Sequence, residues 1–398
     1  MPNLDTLPLE LVTQILAPFS TKSHESDPMF QPCLRHHYVI YCSCLRAYYN
    51  DIAPALKALA RVNLVSKRLH HATTPLLYHT PTTQLSWRLV RTLIERPDLG
   101  KLVSRLYVSD CGNWRKRDGV PGSVRKWYRQ RIRTDMFGIA PGEAAEEEEA
   151  ELVEAGVAWL RACKAVPTDL LSSLCPNLVV LKGSDYVNTH HGLFWKEGMF
   201  PSLKTVYMWR LKTGNGMNLG VFEWLFRAAP GMQRLQLRGL EHVPQLPVAE
   251  REVLPFEMKE VKRVDILCSR VEDACSWENI VKMFPNMETL LYQPRGTLGD
   301  SEMPAFFQAT TAILEALANQ VGCGVSSKLR VFDLDLRYMD WSEWHGHKSE
   351  EEIMEVLRGD MRNAGVECVV SNPRAGFNKY YVENREFESP YGLHCFEA

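Results

Sequence analysis

One phrase recurs in four stretches of the chain: Pro176-Asn177-Leu178-Val179-Val180-Leu181, Pro201-Ser202-Leu203-Lys204-Thr205-Val206-Tyr207-Met208, Pro230-Gly231-Met232-Gln233-Arg234-Leu235-Gln236-Leu237 and Pro285-Asn286-Met287-Glu288-Thr289-Leu290-Leu291-Tyr292. Each reads as a lead-in turn, with proline presetting φ, followed by a short alternating strand. Val261-x-x-Val264-x-Ile266 and Leu329-x-x-Phe332-x-Leu334 repeat the phrase without proline, and Val103-x-x-Leu106-x-Val108 is an earlier copy. The intervals are 25 residues from Pro176 to Pro201 and 29 from Pro201 to Pro230. Two further units fit between Pro230 and Pro285 by way of Val261. Helical patterns lie between the strands. Phe222, Leu225, Phe226 and Ala229 share one face, as do Trp277, Val281 and Phe284, and Phe306, Thr310, Ile313 and Leu317. A strand and a helix per unit predict an α/β fold with a parallel sheet.

This phrase resembles a degenerate leucine-rich repeat over roughly residues 100 to 370. The resemblance implies an irregular curved α/β solenoid; the plainer alternative is an ordinary α/β domain with proline-rich loops. The position that regular repeats fill with Asn or Cys holds Leu211, Leu240, Ser269 and Arg295, so their side-chain ladder is not expected here. Strand residues alternate, so in a solenoid the leucine-type positions face the core and their neighbours face the concave surface. Those neighbours include Thr205, Tyr207, Trp209, Arg234, Gln236, Arg238, Arg263, Asp265, Thr289 and Gln293. Tyr207, Trp209, Arg234, Gln236, Arg238, Arg263 and Asp265 form the candidate target-binding set, because Tyr, Trp and Arg are the types that anchor interfaces. The competing reading is a set of solvated strand faces.

Upstream, Leu7-Pro8-Leu9-Glu10-Leu11-Val12 opens a helix, with Pro8 suited to its first turn. Leu11, Ile15 and Leu16 are expected on one face. A second helix covers Ala55 to Ala60, with Leu56, Leu59 and Ala60 on one side. Val62-Asn63-Leu64-Val65-Ser66-Lys67-Arg68-Leu69 and Pro75-Leu76-Leu77-Tyr78 follow. Three helices this short cannot bury all these leucines among themselves. They form either a small bundle packed on the rest of the chain or a docking module with an apolar face left for a partner.

Leu7-Pro8-x-Glu10-Leu11, Ile15-Leu16, Leu64-Val65-Ser66-Lys67-Arg68-Leu69 and Pro75-Leu76-Leu77-Tyr78, in that order, resemble an F-box of the form common in filamentous fungi. The segment Leu93 to Val103 is similar to the stretch that often follows such a module. The resemblance implies a substrate receptor of a Skp–cullin–F-box ubiquitin ligase. Leu7, Pro8, Ile15, Leu16, Leu64, Val65, Lys67 and Leu69 would supply or support the face that docks on the Skp-type adaptor, some of them as module core. The chain departs from the compact form by an insert at Ser20 to Pro54. Within it Leu34, Tyr38, Tyr41, Leu45, Tyr48 and Ile52 recur at helical spacing. The expected organisation is an F-box at 1–85 with this insert, linking helices at 86–165 with a charged insertion near 112–155, a repeat region at 166–372 and a tail at 373–398.

Charge and cysteine patterns narrow the alternatives. Arg115 to Arg133 holds eight basic residues and one acidic, with Trp114, Trp127 and Tyr128 interleaved; Asp135 to Glu154 holds eight acidic residues and no basic one. A nucleic-acid surface would look like the first block alone. The two together read more economically as complementary or solvated faces. Cys33-x-x-His36 and Cys42-x-Cys44 use zinc-binding residue types, yet the spacing fits no closed finger, and free buried cysteines explain them as well. No metal and no cofactor is assigned. His190-His191 and His345-Gly346-His347 read as loop histidines.

The 398 residues carry a formal net charge of −2 with 45% apolar residues, which excludes a wholly disordered chain and any global electrostatic pull toward nucleic acid or anionic membrane. No apolar run reaches the ~20 residues a membrane span needs. The N-terminus lacks a secretory pattern, and 11 scattered cysteines with no C-x-x-C pair are expected as reduced thiols, so a cytoplasmic or nuclear location is expected. No phosphate-binding loop, dinucleotide fingerprint or hydrolase elbow occurs. The F-box resemblance implies a non-catalytic role: binding the adaptor at one end and a target protein at the other. The alternative is a repeat scaffold, outside any ligase, with an F-box-like helical cap.

Overall fold

Each strand of the sheet is reached through the same turn, and the turn follows from the recurring phrase. The carbonyls of Cys175, Phe200, Ala229 and Phe284 accept from the N–H three residues on, at Leu178, Leu203, Met232 and Met287, over 3.0–3.2 Å. Proline occupies the first central position in all four, where its fixed φ suits the turn and its missing N–H is not needed. Gly100 to Val103 and Met258 to Val261 close the same turn without proline. The computed structural model describes residues 7–19, 53–81, 87–108, 120–137, 147–162, 168–184, 197–209, 227–238, 257–269, 280–294, 328–335, 355, 358–359, 361–363 and 365–371.

The turn delivers eight strands: β1 (Arg105–Val108), β2 (Val180–Ser184), β3 (Thr205–Trp209), β4 (Arg234–Arg238), β5 (Arg263–Ser269), β6 (Thr289–Pro294), β7 (Val331–Asp335) and β8 (Glu367–Ser371). They form one sheet in which every strand pairs in parallel with its neighbour in sequence, in the order β1 to β8. A backbone ladder at the strand starts holds the register. The carbonyls of Ser104, Val179, Lys204, Gln233, Lys262 and Glu288 each accept two N–H groups from the next unit, and Arg330 accepts from Glu367. Asn177 and Asn286 add side-chain bonds of 2.8 Å to the Lys101 and Lys259 carbonyls of the preceding turn. Among the expected Asn/Cys positions only Ser269 lies within the described residues, so the links between units are seen at the strand starts.

Alternation puts Leu106, Leu181, Val206, Leu235, Val264, Leu290 and Phe332 on one face, inside a single core. Helices α4 (Trp87–Glu95), α5 (Pro97–Gly100), α6 (Gly122–Phe137), α7 (Glu147–Ala162) and α8 (Thr168–Leu174) follow the N-terminal helices. Val90, Leu93, Leu99, Val124, Tyr128, Val153, Val157, Leu170, Leu171 and Leu174 from these five join that core. The basic helix α6 lies against the acidic helix α7, with Arg129 reaching Glu154 at 2.6 Å. This pair joins one residue of the basic block to one of the acidic block. Half-exposed ion pairs of this kind add little stability on their own.

The N-terminal helices α1 (Leu9–Leu16), α2 (Ala53–Val62) and α3 (Lys67–His79) have a separate small core of Val12, Leu16, Leu56, Leu59, Leu69, Ala72 and Leu76. The inward stripe of α1 is Val12 and Leu16, four apart. Leu11 and Ile15, expected on one face with Leu16, are exposed while Leu16 is buried, and Ala60, expected on one side with Leu56 and Leu59, is exposed while they are buried. Glu10, Thr13 and Gln14 give α1 one polar side, and the apolar arc left over is wider than the core takes up, so Val12 and Leu16 turn inward while Leu11 and Ile15 stay outside. Ser66 caps α3, its hydroxyl accepting from the Leu69 N–H at 3.2 Å. The first rung of the sheet ladder starts here too: the Ser104 N–H donates to the His79 carbonyl at the end of α3.

The expected insert helix at Leu34 to Ile52, the Cys33/His36/Cys42/Cys44 group, the 306–317 helix, both loop histidine pairs and the tail at 373–398 lie outside the described residues.

Candidate functional site

The turn between α2 and α3 presents the most exposed large apolar side chains among the described residues. Leu64 is 84% exposed and Val65 69%. This is a built feature. Asn63, Leu64 and Val65 donate their backbone N–H groups to Leu59, Arg61 and Val62, continuing the end of α2. The Asn63 side-chain oxygen accepts from the hydroxyls of Thr73 and Thr74 on α3, the latter at 3.3 Å. Each hydroxyl also lies within hydrogen-bond reach of the carbonyl four residues earlier, so its single proton is shared between the two acceptors. With the turn fastened at Asn63 and Ser66, the two residues between them are held outward. Leu9, Leu11, Ile15 and Phe19, each between 40% and 46% exposed, add further apolar surface on the first helix and the turn after it.

Of the eight expected docking residues, Pro8, Ile15, Leu64, Val65 and Lys67 are exposed and Leu7 is partly buried. Leu16 and Leu69, at 5% and 4% exposure, are among those that serve as module core. Leu9, Leu11 and Phe19 are exposed apolar residues beyond that set, and the i, i+4 pair Leu11/Ile15 lies beside the inward pair Val12/Leu16.

The second expected surface is the sheet face away from the main core. Across the strands, Arg105, Val180, Thr205, Arg234, Arg263, Thr289, Val331 and Glu367 stand in one register row. Tyr107, Lys182, Tyr207, Gln236, Asp265, Leu291, Asp333 and Val369 stand in the next. Here the structure corrects the expectation. Tyr207, Gln236 and Asp265 are buried and do not form an open contact surface. Long side chains of the first row lie over them. Arg234 donates from Nε to Asp265 Oδ2 at 3.0 Å and from a terminal nitrogen to the same oxygen; Arg263 donates from Nε to Asp265 Oδ1 at 2.7 Å. The Arg234 guanidinium also stands 5.6 Å from the Tyr207 ring centroid, within cation–π range. Burial pushes the Tyr207 hydroxyl above its ordinary titration range, against the opposing pull of Arg234. Arg234 and Arg263 themselves remain 26% and 38% exposed. Trp209 and Arg238 pair with each other in the backbone register of β3 and β4; their side chains lie outside the described residues.

Among the described residues, no group of three or more His, Cys, Asp and Glu side chains comes together as a metal site, and no helix is long and apolar enough to cross a membrane. The two cysteines whose side chains are described, Cys175 and Cys368, are free thiols that burial pushes up to about 12 and about 11. A thiol so raised is protonated at neutral pH and is a poor nucleophile. No family model matches the chain, and no curated protein is significantly similar to it.

Proposed function

We propose that the chain is the substrate-recognition subunit of a Skp–cullin–F-box ubiquitin ligase, docking on the Skp-type adaptor through its N-terminal helices and holding a target protein on a leucine-rich-repeat-like sheet. The observation that carries this reading is the pair Leu64 and Val65, held in solvent by a fastened turn inside the F-box-like motif. Exposing two large aliphatic side chains costs roughly 1.5–3 kcal/mol each relative to burial, and a partner that covers them recovers it. The sequential parallel sheet supports the second half of the reading, since stacked strand–helix units are the architecture that offers extended binding faces. The subunit needs no catalytic group. It acts by raising the effective concentration of its target beside the conjugating machinery.

The test is co-purification of the full-length chain with a Skp-type adaptor. The wild type is expected to hold the adaptor, and the double substitution Leu64→Asp/Val65→Asp to lose it while keeping the wild-type circular-dichroism spectrum. Retention of the adaptor by that folded variant would remove the docking face. Failure of the wild type to bind would favour a scaffold outside any ligase.

A further inference from the structure

On the sheet face the Asp265 carboxylate is fully engaged by two guanidinium groups, but the guanidinium groups are not fully engaged by it. Arg234 spends its Nε and one terminal nitrogen on Oδ2, and Arg263 spends only its Nε on Oδ1. Three terminal nitrogens therefore have no partner among the described residues, on side chains that reach solvent. Two positive charges against one negative leave the cluster positive, and Arg105 stands in the same register row.

A purely structural clip does not need this arrangement. Asp265 is on β5, so Arg234 on β4 alone ties the two strands together. Arg263 lies two residues from Asp265 on the same strand and bridges nothing. It adds a second fork beside the first, at the strand spacing of about 4.8 Å. Both forks are fixed in place, by Asp265 below and by the Tyr207 ring under Arg234, so little side-chain freedom is lost when a ligand arrives. Level with Asp265 on β4, Gln236 keeps its Oε1 buried with no partner among the described residues, so the polar floor is not closed by its own groups.

We propose that Arg234 and Arg263 form a seat for an oxyanion, a carboxylate or a phosphate, carried by an extended segment of the target protein. Charge-assisted bonds from adjacent guanidinium forks suit such a group. This deepens the target-receptor reading above and rests on it. A nucleic acid fits less well: bases need open aromatic platforms, and the one described aromatic side chain in the cluster, Tyr207, is buried beneath Arg234.

The test uses the full-length chain without adaptor and three pools of end-capped, fluorescently labelled degenerate peptides. The pools carry a central glutamate, a central phosphoserine or a central glutamine. Anisotropy is expected to show at least one anionic pool bound about tenfold or more tighter than the glutamine pool, with the preference weakening as salt is raised. Whichever of the glutamate and phosphoserine pools binds tighter identifies the source of the oxyanion. Arg263→Gln, which leaves the Arg234–Asp265 bridge between β4 and β5 in place, is expected to abolish the preference while keeping the wild-type circular-dichroism spectrum. Equal binding of all three pools, or a preference that survives Arg263→Gln, overturns the seat. Adaptor capture is measured in a separate reaction, so a failed seat with intact capture refutes this inference alone, and lost capture refutes the ligase reading.

Discussion

Replacing Gly100 by alanine puts a methyl group where the fold has no room for one. Gly100 ends α5 and opens the turn into β1. A Cβ there would stand 1.9 Å from the carbonyl oxygen of Leu174 and 3.1 Å from its carbonyl carbon. Ordinary contact begins at 3.4 Å, so the two must separate by about 1.5 Å. The obstacle is backbone at the end of α8, which cannot swing aside as a side chain can. Relief therefore means prising α5 from α8, across a joint where Leu99, Val103, Leu171 and Leu174 are all buried. Overpacking of this kind costs about 1–3 kcal/mol or more, while alanine's advantage in a helix returns at most about 1 kcal/mol. The net expectation is a loss of about 1–2 kcal/mol, read as a lower urea midpoint by circular dichroism. Gly122→Ala is the internal control. Its nearest neighbour would be a terminal nitrogen of Arg125 at 4.0 Å, so it is expected to be neutral or slightly stabilising. A Gly100→Ala midpoint at or above wild type, or an equal loss from Gly122→Ala, would refute the close approach of α5 and α8.

The remaining expectations separate core from surface and bridge from bystander. Leu69→Ala should cost about 2–5 kcal/mol in urea unfolding and Leu64→Ala no more than about 0.5, because only the first empties a packed site. Asp265→Asn should cost about 1–3 kcal/mol, since it weakens charge-assisted bonds to two arginines; an unchanged midpoint would show that the sheet does not depend on them. Cys175 should resist iodoacetamide at neutral pH until the chain is unfolded. Its folded value, raised from 9.0 to about 12, makes its contribution to stability complete below pH 9 and lost as pH rises toward 12. Alkaline unfolding should therefore begin later in Cys175→Ser than in the wild type once both are normalised to their neutral-pH stability.

The sheet was legible because each unit states itself twice. A proline turn and an alternating strand recur in phase at Pro176, Pro201, Pro230 and Pro285, and the same periodicity carries the weaker copies at Val261 and Leu329. The parallel sheet follows from the repeat, and the register from the turns. The exposed apolar face of the N-terminal helices was only half legible. The motif marked stretches that carry it, but Leu9, Leu11, Val12, Ile15 and Leu16 crowd a two-turn helix and span more of its circumference than the core takes up. On the sheet, period-two alternation assigned Tyr207, Gln236 and Asp265 to the correct face yet said nothing of what covers them. That depends on how far Arg234 and Arg263 reach across their neighbours, a property of three-dimensional packing that strand spacing does not encode.

The His79 carbonyl that accepts the first rung has a mechanical meaning. Bundle and sheet are continuous through that bond, so the sheet behaves as a graduated arm, each strand adding about 4.8 Å and the eight together about 34 Å from first to last. A cargo gripped at β4 and β5 would hang near mid-span, at a distance from the anchored end fixed by how many strands lie between. On the proposed ligase reading, inserting or deleting one unit would then shift which of its lysines comes within range.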